Sequence, residues 1–445
     1  MTFTDPNNDI GFLYTGDKSP LWRKSNWLTG FLVFWLLVLS ANPITRPIPG
    51  GNEVVLSVSL LAIFFVVVRR GIPHRLVQLT VLLIGFYAAF FLIQGVHLGD
   101  FYFITNMGFF TKLLCGLLIV GAVAYFPLWY IEVLTLLCLI SLPFFILSLT
   151  GLLDPLIPQI NLFNSPLQQG TRFPLGLYTY KLHKGIIQRR NFGMFVEPGW
   201  LAGYCNMALV FLVYYKDRLP KLVYQRRFII LNLTLLTTLS TGGYAGLPLV
   251  WLLHSWKAGR NRLFKLILIG ILLSPLGYVG WTQAYFLGPK ITHFVQRGFK
   301  VEDPRMYRNR LWGPIGDWQA YIKDHPLVGG GLYGKTETTQ TQGWTLPRSP
   351  LGVTDVFVKL GLIGGGIIYI LLFRQLWFCS GRQLVPWGLG CGVFLTAIMT
   401  ENFLFTPFIL GLFALRVSEQ QIRREKQPSL PPSKNQYKFQ QNEIT

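Results

Sequence analysis

Apolar residues run along this chain in long unbroken blocks, not in the alternation of a half-buried strand or the stripe of a surface helix. The blocks cover 27–43, 54–68, 76–96, 103–125, 128–149, 200–215, 228–241, 243–256, 263–283, 352–373, 385–399 and 402–416. Spanning a hydrocarbon core takes about 20 apolar residues in a helix. The pattern therefore predicts an all-α polytopic membrane protein with twelve transmembrane helices. The first block does not read as a cleaved signal peptide, because its apolar core is long and no small-x-small site follows it. The halves do not mirror each other, so an inverted duplication is not indicated.

Charge orients the blocks. Lys and Arg of short loops stay cytoplasmic, and they gather in Arg69, Arg70 and Arg75; Lys216, Arg218, Lys221, Arg226 and Arg227; Lys257, Arg260 and Arg262; and Arg374 and Arg382. A cytoplasmic segment 1–26, five helices in 27–150, four in 200–283 and three in 352–416 put all of these inside. The tail 417–445 then falls inside too, and its Pro- and Gln-rich composition reads as disordered. The segments 151–199 and 284–351 become long periplasmic loops, the second expected to contain an amphipathic helix.

These loops carry the candidate chemistry. The first has five Lys/Arg against two acids and the second nine against five, within a chain of net charge +21. An outward basic surplus favours an anionic ligand, with lipid headgroup contact as the plainer reading. Nucleic acid is a poor fit, since the basic residues are tied to membrane spans. In the second loop Asp303-Pro304 reads as a helix start, and Leu311, Ile315, Trp318 and Ile322 form an apolar stripe interrupted at Gly313-Pro314. Arg305, Arg308 and Trp312 share another face, and Arg310 lies among them. Such arginines are either a solvated basic face or phosphate ligands, whose oxygens the guanidinium fork matches. The helix is expected to stop at His325-Pro326, where Gly329-Gly330-Gly331 permits close backbone approach.

The first loop ends in Glu197-Pro198 at a helix start, where the dipole favours a carboxylate. Glu197 can equally be a base at the membrane surface, as can Glu401 in the turn between the last two spans. All five cysteines lie in or beside spans, which argues for packing over a disulfide framework. The sequence has no Asp-x-Asp element, phosphate-binding glycine loop, dinucleotide fingerprint or His/Cys metal cluster, so no cofactor is expected.

At several of these residues the chain resembles the O-antigen polymerase and O-antigen ligase superfamily of bacterial membrane glycosyltransferases. Arg308-Asn309-Arg310-Leu311-Trp312 is similar to its Arg-x-x-x-Trp element. His325-Pro326-Leu327-Val328-Gly329-Gly330-Gly331 is similar to its His-Pro-Leu-x-Gly-x-Gly element, with a few more residues between the two than is usual. Leu360-Gly361-Leu362-Ile363-Gly364 looks like the Gly-Leu-Ile-Gly turn into a late span, and Arg190-Asn191-Phe192-Gly193 like the Arg-x-x-Gly element before a span. The likeness covers about 190–415. The His-Asn pair of ligases has no counterpart at Arg348-Ser349-Pro350, which favours a polymerase, and the family's Ser-Arg pair is replaced by Ser240-Thr241-Gly242-Gly243-Tyr244.

The resemblance implies extension of undecaprenyl-diphosphate-linked oligosaccharide repeat units at the periplasmic face of the inner membrane. That substrate, membrane lipid and a chain-length regulator protein would be the partners. Arg172, Arg190, Arg305, Arg308 and Arg310 would contact the diphosphate, and Tyr307, Trp312 and Trp318 the sugar. Glu197, His325 or Glu401 would take the acceptor proton, without metal. Ligation to lipid A core is the alternative within the family. Transport of lipid-linked sugar is the alternative outside it, and is disfavoured because the predicted spans are nearly free of charge.

Overall fold

A computed structural model of the protein describes residues 27–41, 51–153, 161–164, 171–174, 176–183, 186–187, 190–258, 322–323, 325–332, 352–400 and 403–419. Helices occupy every expected apolar block that falls on these residues; the block 263–283 lies outside them. In chain order they are α1 (Trp27–Ala41), α2 (Gly51–Arg70), α3 (His74–Leu98), α4 (Phe103–Ala122), α5 (Phe126–Thr150), α6 (Pro198–Tyr214), α7 (Lys221–Thr237), α8 (Thr241–Ala258), α9 (Gly352–Cys379), α10 (Leu384–Thr400) and α11 (Pro407–Gly411). Four of them, α3, α4, α5 and α9, are long and apolar enough to cross a membrane, while α1, α6, α10 and much of α2 are apolar but shorter. The protein is a helical membrane protein.

The all-α expectation needs one correction. In the 151–199 segment, β1 (Asn161–Asn164), β2 (Thr171–Pro174), β3 (Tyr180–His183) and β4 (Ile186–Ile187) form an antiparallel meander in the order β1-β2-β3-β4. Pro155, Pro158, Pro166 and Pro174 recur too closely for a helix to continue.

The bundle is built around α6. Every residue of α6 except Trp200 is buried, as expected of a helix that is apolar all round. It packs on α5, α7, α8 and α10. At its centre Tyr130 of α5 donates from its hydroxyl to the Tyr204 carbonyl at 2.7 Å. Phe408 of α11 closes on both rings, 4.7 Å from Tyr130 and 5.1 Å from Tyr204. Helices in lipid gain nothing from excluding water, so close packing has to hold them. At the α4–α11 crossing two glycines meet, and a Cβ on Gly411 would come within 2.7 Å of the Gly116 carbonyl oxygen.

Nor are the helices as free of charge as expected. Glu132 lies inside α5, 4% exposed, and is ion-paired with Arg227, placed on sequence in a short basic loop but in fact within α7. Arg227 also donates to the Val223 carbonyl at 3.0 Å. All five cysteines are free thiols, and all but the half-buried Cys379 are buried. Sγ of Cys138 and Sγ of Cys205 are 3.6 Å apart.

At the end of the bundle where the short basic loops lie, Lys257 approaches Asp217 at 3.9 Å and donates to the Tyr214 carbonyl at 3.0 Å. The tail expected to be disordered from 417 continues helically through 419. Val417 and Ser418 are buried there. Ser418 donates to the Val123 carbonyl at 2.5 Å and accepts from the Phe126 amide at 3.2 Å, and Glu419 accepts from the Tyr215 hydroxyl. These bonds fix the start of a segment whose composition alone reads as polar tail; 420–445 lie outside the described residues.

Breaking a buried ion pair by removing one partner leaves the other charge uncompensated, at a cost of about 3–5 kcal/mol, whereas replacing both partners by apolar residues of similar size is often neutral. Glu132→Leu is therefore expected to lower the thermal midpoint of the purified protein sharply. Glu132→Leu combined with Arg227→Met is expected to restore most of the loss in the same melt.

Candidate active site

The site grows from a break in α9. Gly361 has φ 61 and ψ −171, which interrupts the helix two turns after its start. The break frees carbonyls before it and amides after it, and such groups need new partners where they are buried. The segment 325–331 meets them. Amides of Gly330 and Gly331 donate to the carbonyls of Val358 (2.8 Å) and Lys359 (3.1 Å). Amides of Leu362 and Ile363 donate in return to the carbonyls of Pro326 (2.8 Å) and Leu327 (3.2 Å). Gln94 of α3, 2% exposed, seals the joint: its Nε2 donates to the carbonyls of both Val328 and Lys359, the latter at 2.9 Å.

The joint is close enough to require glycine twice. A Cβ on Gly329 (φ 70) would meet the Leu360 amide nitrogen at 2.7 Å, and one on Gly361 would meet the Val328 nitrogen at 2.5 Å. The two glycine-bearing elements quoted from the sequence, 325–331 and 360–364, are thus one interlocked unit.

This clasp sets His325 beside His97, in the last turn of α3. Nδ1 of His325 lies 3.1 Å from Nε2 of His97, with the rings nearly perpendicular and 5.2 Å between centroids. One of the two nitrogens carries the shared proton. On α9, in the turn before the break, Lys359 binds Asp355 at 2.6 Å, and its ammonium stands 5.0 Å over the Phe405 ring. Asp355 is only 3% exposed. Both the histidine partner and this ion pair escaped the sequence reading. His97 is not singled out there. What could have raised it is its place at a helix end, one turn after the buried polar Gln94.

Glu197 is the residue before α6, extended at φ −141 and ψ 149 and exposed; its side chain makes no capping hydrogen bond. Three residues on, Trp200 meets Phe403 at 4.7 Å between centroids. Arg190 has a structural task. Its Nε donates to the Thr238 carbonyl at 3.0 Å and its Nη2 to the Leu239 carbonyl at 2.8 Å, which ties up orphan carbonyls just beyond α7. Asn191, fully buried, completes the join: its amide donates to Ser141 Oγ at 3.1 Å and Thr237 Oγ1 at 2.9 Å, and its Oδ1 accepts from the Gly193 amide at 2.9 Å. The Arg190–Gly193 element is therefore a brace between α5 and α7, and at least two of the arginine's donors are committed to it.

Arg172 lies in β2, where its backbone pairs with Tyr180. Arg305, Tyr307, Arg308, Arg310, Trp312, Trp318 and Glu401 lie outside the described residues. The site residues that the structure brings together are thus His325, His97, Gln94, Asp355 and Lys359.

The clasp makes a sharp test. Gly361→Ala puts a methyl group against the Val328 backbone at a φ that L residues rarely adopt. It is expected to cost about 1–3 kcal/mol, the range for forced overpacking, and to expose a protease site near residue 325 in limited proteolysis. Gly366→Ala, with open space around its Cβ position, is expected to do neither.

Searches of known protein families, of curated proteins and of solved structures each found no match to this chain.

Proposed function

We propose that the protein is a membrane glycosyltransferase that extends oligosaccharide repeat units carried on undecaprenyl diphosphate, a polysaccharide polymerase of the bacterial inner membrane. In this reading the chain crosses the membrane twelve times, the two long loops face the periplasm, and the clasp end of the bundle is the catalytic end. The observation that carries it is the clasp. The two sequence elements that resemble the polymerase and ligase superfamily, 325–331 and 360–364, pair with each other through backbone bonds and set His325 at the joint.

The chemistry needs a base, an anion receptor and an activated donor. With its proton on Nδ1 and donated to His97, His325 presents Nε2 as a lone pair. That nitrogen takes the proton of the acceptor sugar's hydroxyl as the oxygen attacks the anomeric carbon. The bond from that carbon to the carrier's diphosphate breaks, and the electron pair leaves on the diphosphate oxygen. Arg308 and its neighbours Arg305 and Arg310 stabilise the departing charge through their forks. Because the donor is already a diphosphate ester, no nucleotide enters the reaction.

Transport of lipid-linked sugar is the second reading, and one observation favours it. Transporters bury ionisable residues among their helices, as Glu132 and Arg227 are buried here.

Purified protein supplied only with undecaprenyl-diphosphate repeat units is expected to yield longer lipid-linked chains. His325→Ala and Arg308→Ala are each expected to abolish them with protein yield and thermal midpoint unchanged. Arg190→Ala is expected to lower the midpoint as well, since two hydrogen bonds from a charged donor, each about 1.5–3 kcal/mol, are lost. Extension only on addition of lipid A core would identify a ligase. Movement of lipid-linked sugar across a bilayer without extension would identify a transporter.

A further inference from the structure

A second basic site lies at the other end of α9. A cavity of about 640 Å³ is bounded there by Arg75 of α3, Arg374 of α9, Arg382 of the α9–α10 turn and Arg416 after α11, and among the described residues its lining includes no Asp or Glu. Its remaining wall is mainly apolar and includes Leu79, Leu371 and Phe413.

Specific bonds hold the arginines there. Gln375 is 8% exposed; it donates to the Phe413 carbonyl at 2.9 Å and accepts from the Arg416 amide at 3.1 Å. That fastens the chain after α11 to α9 and sets Arg416 next to Arg374, with its guanidinium 5.5 Å from the Phe378 ring. Arg382 is left-handed at φ 62, directly after Gly381 at φ 72. Its amide returns to the Trp377 carbonyl at 3.1 Å, so the chain reverses and brings the side chain back over the cavity. A non-glycine residue in that region is uncommon.

The placement of Lys and Arg in short loops by membrane topology accounts for basic residues on this face, but not for their convergence on one concave site. Arg374, Arg382 and Arg416, brought round one concave site, repel one another, and an anion at their centre relieves the repulsion. An apolar track leads away from the site. Val77, Val81 and Leu82 on α3 are 41%, 65% and 68% exposed, and follow Arg75 along the helix. Phosphate chemistry at one end and an exposed apolar ridge at the other match a lipid better than a soluble ion.

We propose that this cavity binds the phosphate headgroup of an anionic membrane phospholipid, its acyl chains lying along α3. The lipid bridges α3, α9 and the chain after α11. The site is independent of the proposed glycosyl transfer, and its occupancy can be read without any activity.

The test uses the full chain, purified in detergent and offered phosphatidylglycerol or phosphatidylethanolamine, with bound lipid counted by native mass spectrometry. Phosphatidylglycerol is expected to be retained in preference. Arg374→Gln combined with Arg416→Gln is expected to weaken its retention about tenfold or more, each arginine near a headgroup contributing measurably, with the thermal midpoint of the lipid-free protein unchanged. Should the double variant fail to fold, Arg382→Gln alone is expected to reduce retention severalfold. Equal retention of the two lipids, or variants that bind phosphatidylglycerol as the parent does, overturns the proposal. So does displacement of phosphatidylglycerol by inorganic phosphate at an equal concentration, which would make this a site for a free anion.

Discussion

A backbone that leaves the helix in a packed interior must find new partners for the amides and carbonyls it releases, and this constraint organises the protein. The break at Gly361 frees the carbonyls of Val358 and Lys359 and the amides of Leu362 and Ile363. All four are answered by one short segment, 325–331, with Gln94 bridging the two strands of chain. Remove that segment and α9 has either to straighten or to lose its pairing. The position of His325, its contact with His97 and the setting of Lys359 follow from this single reciprocal exchange. A second case of the same rule operates beyond α7, where Arg190 and Asn191 take up the carbonyls and the hydroxyl that the helix end leaves open.

How far the chain could be read before folding depended on the length of the signal. Helix positions were legible because each rests on an apolar run of many residues. The strands of the 151–199 segment were not, since four residues are too few to show alternation. The glycine elements could be recognised as words, but their partnership could not: the bonds between them are backbone bonds, and no side chain announces them. Nor does anything in the sequence link His325 to His97, 228 positions away. Through the family resemblance Arg190 is expected as a diphosphate contact. Only the fold shows that two orphan carbonyls lie within its reach. Arg227 was set in a loop because it follows other basic residues, and Glu132 drew no notice as a lone acid in an apolar block.

Charge is therefore arranged in three ways that composition cannot separate. Glu132 and Arg227 neutralise each other within the bundle. Asp355 and Lys359 do so at the clasp, where the lysine remains partly open to solvent. Arg374, Arg382 and Arg416 are assembled around one cavity with no acid among its described lining. A net charge of +21 for the whole chain does not distinguish these, and of the three only the last gives a field that an anion would feel strongly.

The clasp has a consequence for how this protein can vary. Its bonds run between main-chain atoms, so Leu327, Val328, Lys359 and Leu360 could be exchanged for many other residues without losing one of them. Gly329 and Gly361 are held by lack of room, and Gln94 by the two carbonyls it must reach. With Gly331 held at φ 86, a joint that determines the shape of the candidate site thus rests on four fixed side-chain identities, three of them the absence of a side chain. Lineages carrying this joint could drift until almost no letters agreed while the geometry stayed the same.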